Sequence, residues 1–98
     1  MAFYIEFSED AERQMAALRA VDRSRLFDEI DEQLTHQPNQ RTRRRKQLTN
    51  HPLADWELRV DDWRVLYDVD TENQQVTIIV VGQKVRHKLM IEGKEFKA

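Results

Sequence analysis

Apolar and polar residues alternate at the start of the chain. Phe3, Ile5 and Phe7 fall on one side, and Tyr4 and Glu6 on the other. This is the two-residue period of a half-buried strand. The period then lengthens. Ser8 suits a helix N-cap, and Glu9 and Asp10 suit the positive end of the helix that follows. Ala11, Met15 and Leu18 recur at helical spacing, which predicts a helix over about residues 9–19. Asp22 can cap a second helix, with Leu26, Phe27, Ile30 and Leu34 as its apolar stripe and Asp28, Glu29, Asp31 and Glu32 as its wet face. Pro38 requires that helix to end before it. Only a few residues separate the two, so they are expected as an antiparallel hairpin.

Residues 37–55 are polar and loop-like, with Pro38, Pro52 and a short strand over Lys46 to Leu48. Period two then returns. Trp56 to Val60 alternates, Asp61-Asp62 forms a two-residue turn, and Trp63 to Val69 alternates again. After a second turn at Thr71 to Gln75, Val76 to Val81 is apolar on both parities, as in a central strand. Glu92-Gly93 reads as a turn between Leu89–Ile91 and Glu95–Phe96, which predicts a small terminal hairpin or an extended tail. The predicted order is β-α-α-β-β-β. The class is α+β: an N-terminal strand and a two-helix hairpin packed on one face of an antiparallel sheet.

Ninety-eight residues make one domain with one modest core. Active groups are therefore expected on an open face or in a shallow groove. The absence of cysteine excludes disulfides and thiolate metal sites and suits a reducing compartment. No apolar run is long enough for a transmembrane helix, and the N-terminus does not resemble a signal peptide. Two glycines and two prolines argue for regular elements rather than disorder. There is no metal-ligand pattern, glycine-rich phosphate loop or nucleophile elbow, so no cofactor is expected. The net charge of -2 conceals an asymmetry. Residues 1–36 hold nine acids and four bases, whereas residues 37–64 hold four acids and seven bases.

The Asp61-Asp62 turn sets a register. Val60 faces Trp63, Arg59 faces Arg64, Leu58 faces Val65 and Trp56 faces Tyr67. Trp56, Leu58, Val60, Trp63, Val65 and Tyr67 then make the core side, and Arg59 lies directly opposite Arg64 on the other. Like charges so placed are unfavourable by up to about 1 kcal/mol. An anion spanning the two guanidiniums would offset that repulsion, since arginine binds phosphate in bidentate fashion. The bland alternative is that Glu57, diagonal to Arg64, neutralises the pair.

Two further basic groups flank this hairpin. Arg41, Arg43, Arg44, Arg45 and Lys46 read either as a phosphate-tracking arm or as a solvated loop balancing the acidic helices. Lys84, Arg86, His87 and Lys88 follow the central strand. Cations beside an imidazole suit phosphodiester cleavage, where charge develops on phosphate and a proton moves near neutral pH. A basic surface tail is the plain alternative. Without a metal, such cleavage would use the 2′-hydroxyl of RNA, a group DNA lacks. His36 and His51 have no ligand-like spacing and are assigned no role.

Phe7-Ser8-Glu9-Asp10-Ala11-Glu12 after a short strand, the acidic helix pair, Leu58 through Val69, and Val80-Val81-Gly82 together resemble the RelE/ParE toxin superfamily of bacterial type II toxin–antitoxin pairs. The resemblance covers nearly the whole chain and is most specific from Trp56 to Gly82. It implies a RelE-like, microbial-RNase-like fold in a cytoplasmic protein held inactive by a small antitoxin, possible as a hetero-oligomer. RelE-type members cut mRNA in the ribosomal A site without a metal. ParE-type members poison DNA gyrase by protein contact and are not nucleases. By this resemblance Arg59 falls on the phosphate-binding arginine, and Lys84 falls where RelE-type members carry a second catalytic arginine. Lys46 lies near the basic residues before the sheet. RelE-type toxins often carry a catalytic C-terminal tyrosine, and no tyrosine follows Tyr67, so His87 is the substitute. The reading that follows is an mRNA endonuclease with Arg59, Arg64, Lys84, Arg86 and His87 at its centre. Arg41, Arg43, Arg44, Arg45, Lys46 and Lys88 would contact RNA. A gyrase inhibitor and an inactive, binding-only relative are the alternatives.

Overall fold

Strand β1 (Tyr4–Phe7) turns Ile5 and Phe7 inward and leaves Tyr4 in solvent. The computed structural model describes residues 2–97. Ser8 caps helix α1 (Glu9–Ala16), its hydroxyl accepting from the Ala11 N–H at 3.0 Å, with Glu9, Asp10 and Glu12 in the first turn. The helix is shorter than its apolar spacing predicts: Ala17 closes it, and Leu18 still packs on the core from outside it. Helix α2 (Ala20–Leu34) begins at an Arg19 cap that makes no side-chain cap bond. Asp22 is not the cap; it lies in the first turn, pairs with Arg19 at 3.3 Å and complements the helix dipole. Arg23 holds the connection by donating to the Leu18 carbonyl at 3.1 Å. Leu26, Ile30 and Leu34 are buried as predicted, but Phe27 stays 43% exposed, its ring meeting Phe7 edge-on.

The sheet contains β2 (Arg45–Gln47), β3 (Trp56–Val60), β4 (Trp63–Asp70), β5 (Gln75–Val85), β6 (Lys88–Ile91) and β7 (Lys94–Glu95) in that spatial order. All these neighbours are antiparallel, whereas β1 pairs with β5 in parallel. Because β4 occupies one edge of β5 along its length, β1 and β6 share the other. The gap between them is closed from α1. The Ser8 hydroxyl donates to the Ile79 carbonyl at 2.7 Å, and the buried Gln14 side chain accepts from the Val81 N–H at 2.7 Å. These bonds satisfy backbone groups that a ladder would otherwise satisfy.

The two-sided apolar character of β5 has two causes. A bulge at Ile79 shifts the register, since Leu66 pairs with Val80 and Tyr67 with Ile78. Val76, Ile78 and Val81 therefore all join the main core under the helices, with Trp56, Leu58, Val60, Val65 and Tyr67. Val80 and Leu66 instead form a second, smaller cluster with Ala54, flanked by Leu48, Leu53, Leu89 and Ile91. On the face opposite the helices, residues of the 48–54 loop and of β6 thus pack over Leu66 and Val80. Gly82 permits that cover. A Cβ there would stand 2.8 Å from the Met90 carbonyl oxygen and 3.0 Å from Leu89.

Candidate functional site

The β3–β4 hairpin has the register that its alternation predicts, with Arg59 opposite Arg64 and Trp56 opposite Tyr67. Asp61 takes the left-handed φ of 52° that the tight turn needs, and Arg25 of α2 ties its carboxylate down at 3.0 Å. Arg64 supports the same turn by donating through Nη1 to the Asp61 and Trp63 carbonyls at 2.7 and 2.9 Å. Its side chain is only 15% exposed. Arg59 is the open member of the pair.

The end of β5 meets the tip of this hairpin, where the Lys84 N–H donates to the Asp62 carbonyl at 2.7 Å. The chain then reverses through Arg86 and His87, both left-handed at φ 52° and 68°. Asn-Gly is the usual occupant of such a turn, and a non-glycine residue in this region costs of order 1–3 kcal/mol. The turn delivers both side chains to a groove of about 460 Å³ lined by Arg59, Asp62, Arg64, Lys84, Arg86 and His87. All five residues that the sequence nominates for chemistry lie around it. Asp62 joins them without having been anticipated. Glu57 lies beneath, 8% exposed, with Oε1 3.2 Å from Arg59 Nε and 3.9 Å from Arg64 Nε. The bland neutralisation is therefore partly present. It is not a clamp over both groups, because one carboxylate oxygen faces two guanidiniums and Arg64 Nε is buried without a hydrogen-bond partner among the described residues.

The predicted basic arm divides. Arg45 cannot meet RNA, because it is buried and donates to the Gln40 and Gln33 carbonyls. It sits opposite Leu58 and shares that residue's inward side, which orients it to the core. Arg44 is half exposed but pairs with Glu29 at 2.6 Å. Arg41, Arg43 and Lys46 are exposed, and none has an ion pair among the described residues. Lys88 lies outside the groove lining and faces Glu95 at 3.9 Å. Tyr67 cannot supply the missing tyrosine. Its hydroxyl is buried and donates to the Pro38 carbonyl at 2.6 Å, and burial pushes its pKa well up, against a smaller opposing effect of Arg45.

The terminal hairpin of β6 and β7 is latched to α1. Arg13 grips Glu92 through two hydrogen bonds of 2.8 and 3.0 Å and also reaches Asp10 at 3.0 Å. The hydrogen bond from Arg13 holds the Glu92 carboxyl below its ordinary value of 4.5. A depressed carboxyl stabilises the fold above its unfolded value and ceases to do so as pH falls through its folded value. Amide-exchange protection over 88–91 should therefore drop as pH goes below 4.5. In Glu92→Gln it should already be low at neutral pH and lack that acid step. Equal protection in both proteins across this range would show the latch to be idle.

The family model described as "ParE toxin of type II toxin-antitoxin system, parDE" matches residues 5–87. The chain belongs to the ParE toxin family. It is a type II toxin of the RelE/ParE superfamily, and the matched span holds every residue lining the groove. No curated protein matches its sequence. Among solved structures, the toxin is similar to a chain of the RelBE2 toxin–antitoxin complex of Mycobacterium tuberculosis, with 23% identity and a TM-score of 0.71 over 85% of this chain and 99% of that chain. The isolated RelE toxin of E. coli matches at 23% identity and a TM-score of 0.66, over 87% of each chain. RelE from the RelE–RelB complex of Pyrococcus horikoshii matches at 18% and 0.66, over 88% of this chain and 99% of that chain. These likenesses establish the shared fold: two helices against the sheet, as predicted. No helix among the described residues is long and apolar enough to cross a membrane.

Proposed function

We propose that the toxin is a metal-independent endonuclease that cuts mRNA at the ribosome, and that the cationic groove receives the scissile phosphate. The observation that carries this reading is the meeting of Arg59, Arg64, Lys84, Arg86 and His87 around one hollow. Four cations against the carboxylates of Glu57 and Asp62 leave an excess of positive charge where a phosphate would lie. Arg59 offers a planar fork to the non-bridging oxygens. In this chemistry the 2′-hydroxyl attacks phosphorus and Asp62 takes its proton. Arg59, Lys84 and Arg86 stabilise the charge that develops on the phosphate oxygens. His87 gives a proton to the departing 5′-oxygen, leaving a cyclic phosphate on one fragment and a 5′-hydroxyl on the other. Arg41, Arg43 and Lys46 extend the cationic surface toward flanking phosphates.

The family match favours one second reading, inhibition of DNA gyrase by protein contact. In-cell experiments separate the two. After induction, mapped RNA 5′ ends should accumulate within coding sequences while plasmid supercoiling stays normal. Relaxed plasmid with intact transcripts would assign the toxin to gyrase. Under either reading the partner is a small cognate antitoxin. The likeness to RelE chains solved with RelB supports one.

A further inference from the structure

We infer that Glu57 is an internal counter-anion that competes with the ligand for Arg59, and so sets how tightly the groove holds a phosphate. This inference rests on the proposal that the groove takes a phosphate. Glu57 is nearly buried under the pair, so its position is fixed by β3 and by the packing around it. Its Oε1 occupies Arg59 Nε at 3.2 Å. That nitrogen is one tooth of the side-on fork with which arginine grips a phosphate. A phosphate that takes the side-on fork must displace the carboxylate. The displaced oxygen has a destination: Arg64 Nε is 3.9 Å away and has no hydrogen-bond partner among the described residues. A buried donor without a partner is unfavourable, so the hand-over from Arg59 to Arg64 recovers part of what displacement loses. Glu57 thus does two things. It keeps the two guanidiniums from repelling each other when the groove is empty, and it weakens binding enough for product to leave.

The predicted variant is Glu57→Gln, which keeps an oxygen for Arg59 Nε and removes the charge. At low salt it should bind an RNA oligonucleotide blocked by 2′-O-methylation about tenfold more tightly than the parent, since one opposing charge has gone from the groove. The gain should shrink as salt rises and vanish when Arg59→Ala is added. A second measurement needs no variant. In the parent protein, titration with the same oligonucleotide should move the Arg59 and Arg64 Nε–H resonances together, Arg64 toward a newly formed hydrogen bond. If Arg59 responds while Arg64 does not, the hand-over is wrong. A folded Glu57→Gln that binds no more tightly would show Glu57 to be a structural support only. If the parent shows no Arg59-dependent binding at all, the phosphate reading itself falls, a pattern distinct from the other two.

Discussion

Arg59→Ala should abolish growth inhibition while leaving the toxin folded. The side chain is 44% exposed. The residue's structural duty lies in its backbone N–H, which donates to the Arg44 carbonyl at 2.8 Å and survives the substitution. Glu57 is nearly buried, so losing its partner costs more than losing a surface ion pair would, but Arg64 Nε, 3.9 Å away, can take the freed carboxylate, and relief of the repulsion from Arg64 offsets part of the loss. Removing one pre-organised donor to a developing oxyanion lowers a rate by roughly 10²–10³. Toxicity and RNA cleavage should therefore disappear while the melting temperature moves little. Arg59→Lys should recover only a fraction, because it keeps the charge and loses the fork. A folded Arg59→Ala protein that arrests growth as strongly as the parent would remove Arg59, and with it the phosphate reading, from the mechanism.

Gly82→Ala should damage stability and activity together. The added Cβ would meet the Met90 carbonyl at 2.8 Å, Leu89 at 3.0 Å and Ile91 at 3.2 Å. The nearest of these is backbone in the paired strand, which cannot rotate away, so β6 must move. Overpacking of this kind costs about 1–3 kcal/mol, roughly 4–8 °C of melting temperature per kcal/mol in a chain this small. Movement of β6 also disturbs the Arg86-His87 turn that joins it to β5. Loss of activity should therefore exceed what the stability change explains at a temperature where the variant is folded. An unchanged melting curve would mean that the strands have more room than the close approach implies.

The groove was legible in parts. The register of β3 and β4 follows from Asp61-Asp62 and from alternation on either side, because a two-residue turn leaves one pairing that puts every apolar residue on one side. The basic run illustrates the opposite case. Arg44, Arg45 and Lys46 are consecutive cations in the sequence, yet one pairs with Glu29, one is buried and one is exposed. The fates of Arg45 and Lys46 depend on which residue of β3 each one faces, a pairing across a loop of eight residues from 48 to 55 that alternation in three residues cannot specify. Asp22 looked like a cap because its chemistry suits one, but the helix starts two residues earlier, at Ala20. The exposure of Phe27 is a similar miss, since helical spacing marks a stripe but not where its edge meets solvent.

By itself, the amino-acid sequence determined the two helices, the strands of the predicted β-α-α-β-β-β order, the hairpin register and the two facing arginines, since these depend on neighbours within a few residues, whereas β2, β6 and β7 lie outside that order. Only the tertiary structure decided that Lys84, Arg86 and His87 share a groove with Arg59, that Glu57 pairs with Arg59 and that Gly82 lets β6 approach β5 closely. The physical reason is distance along the chain. A bulge at Ile79, a parallel strand from the N-terminus and a helix glutamine on Val81 all set where the end of β5 lies, and none of them has a local signature.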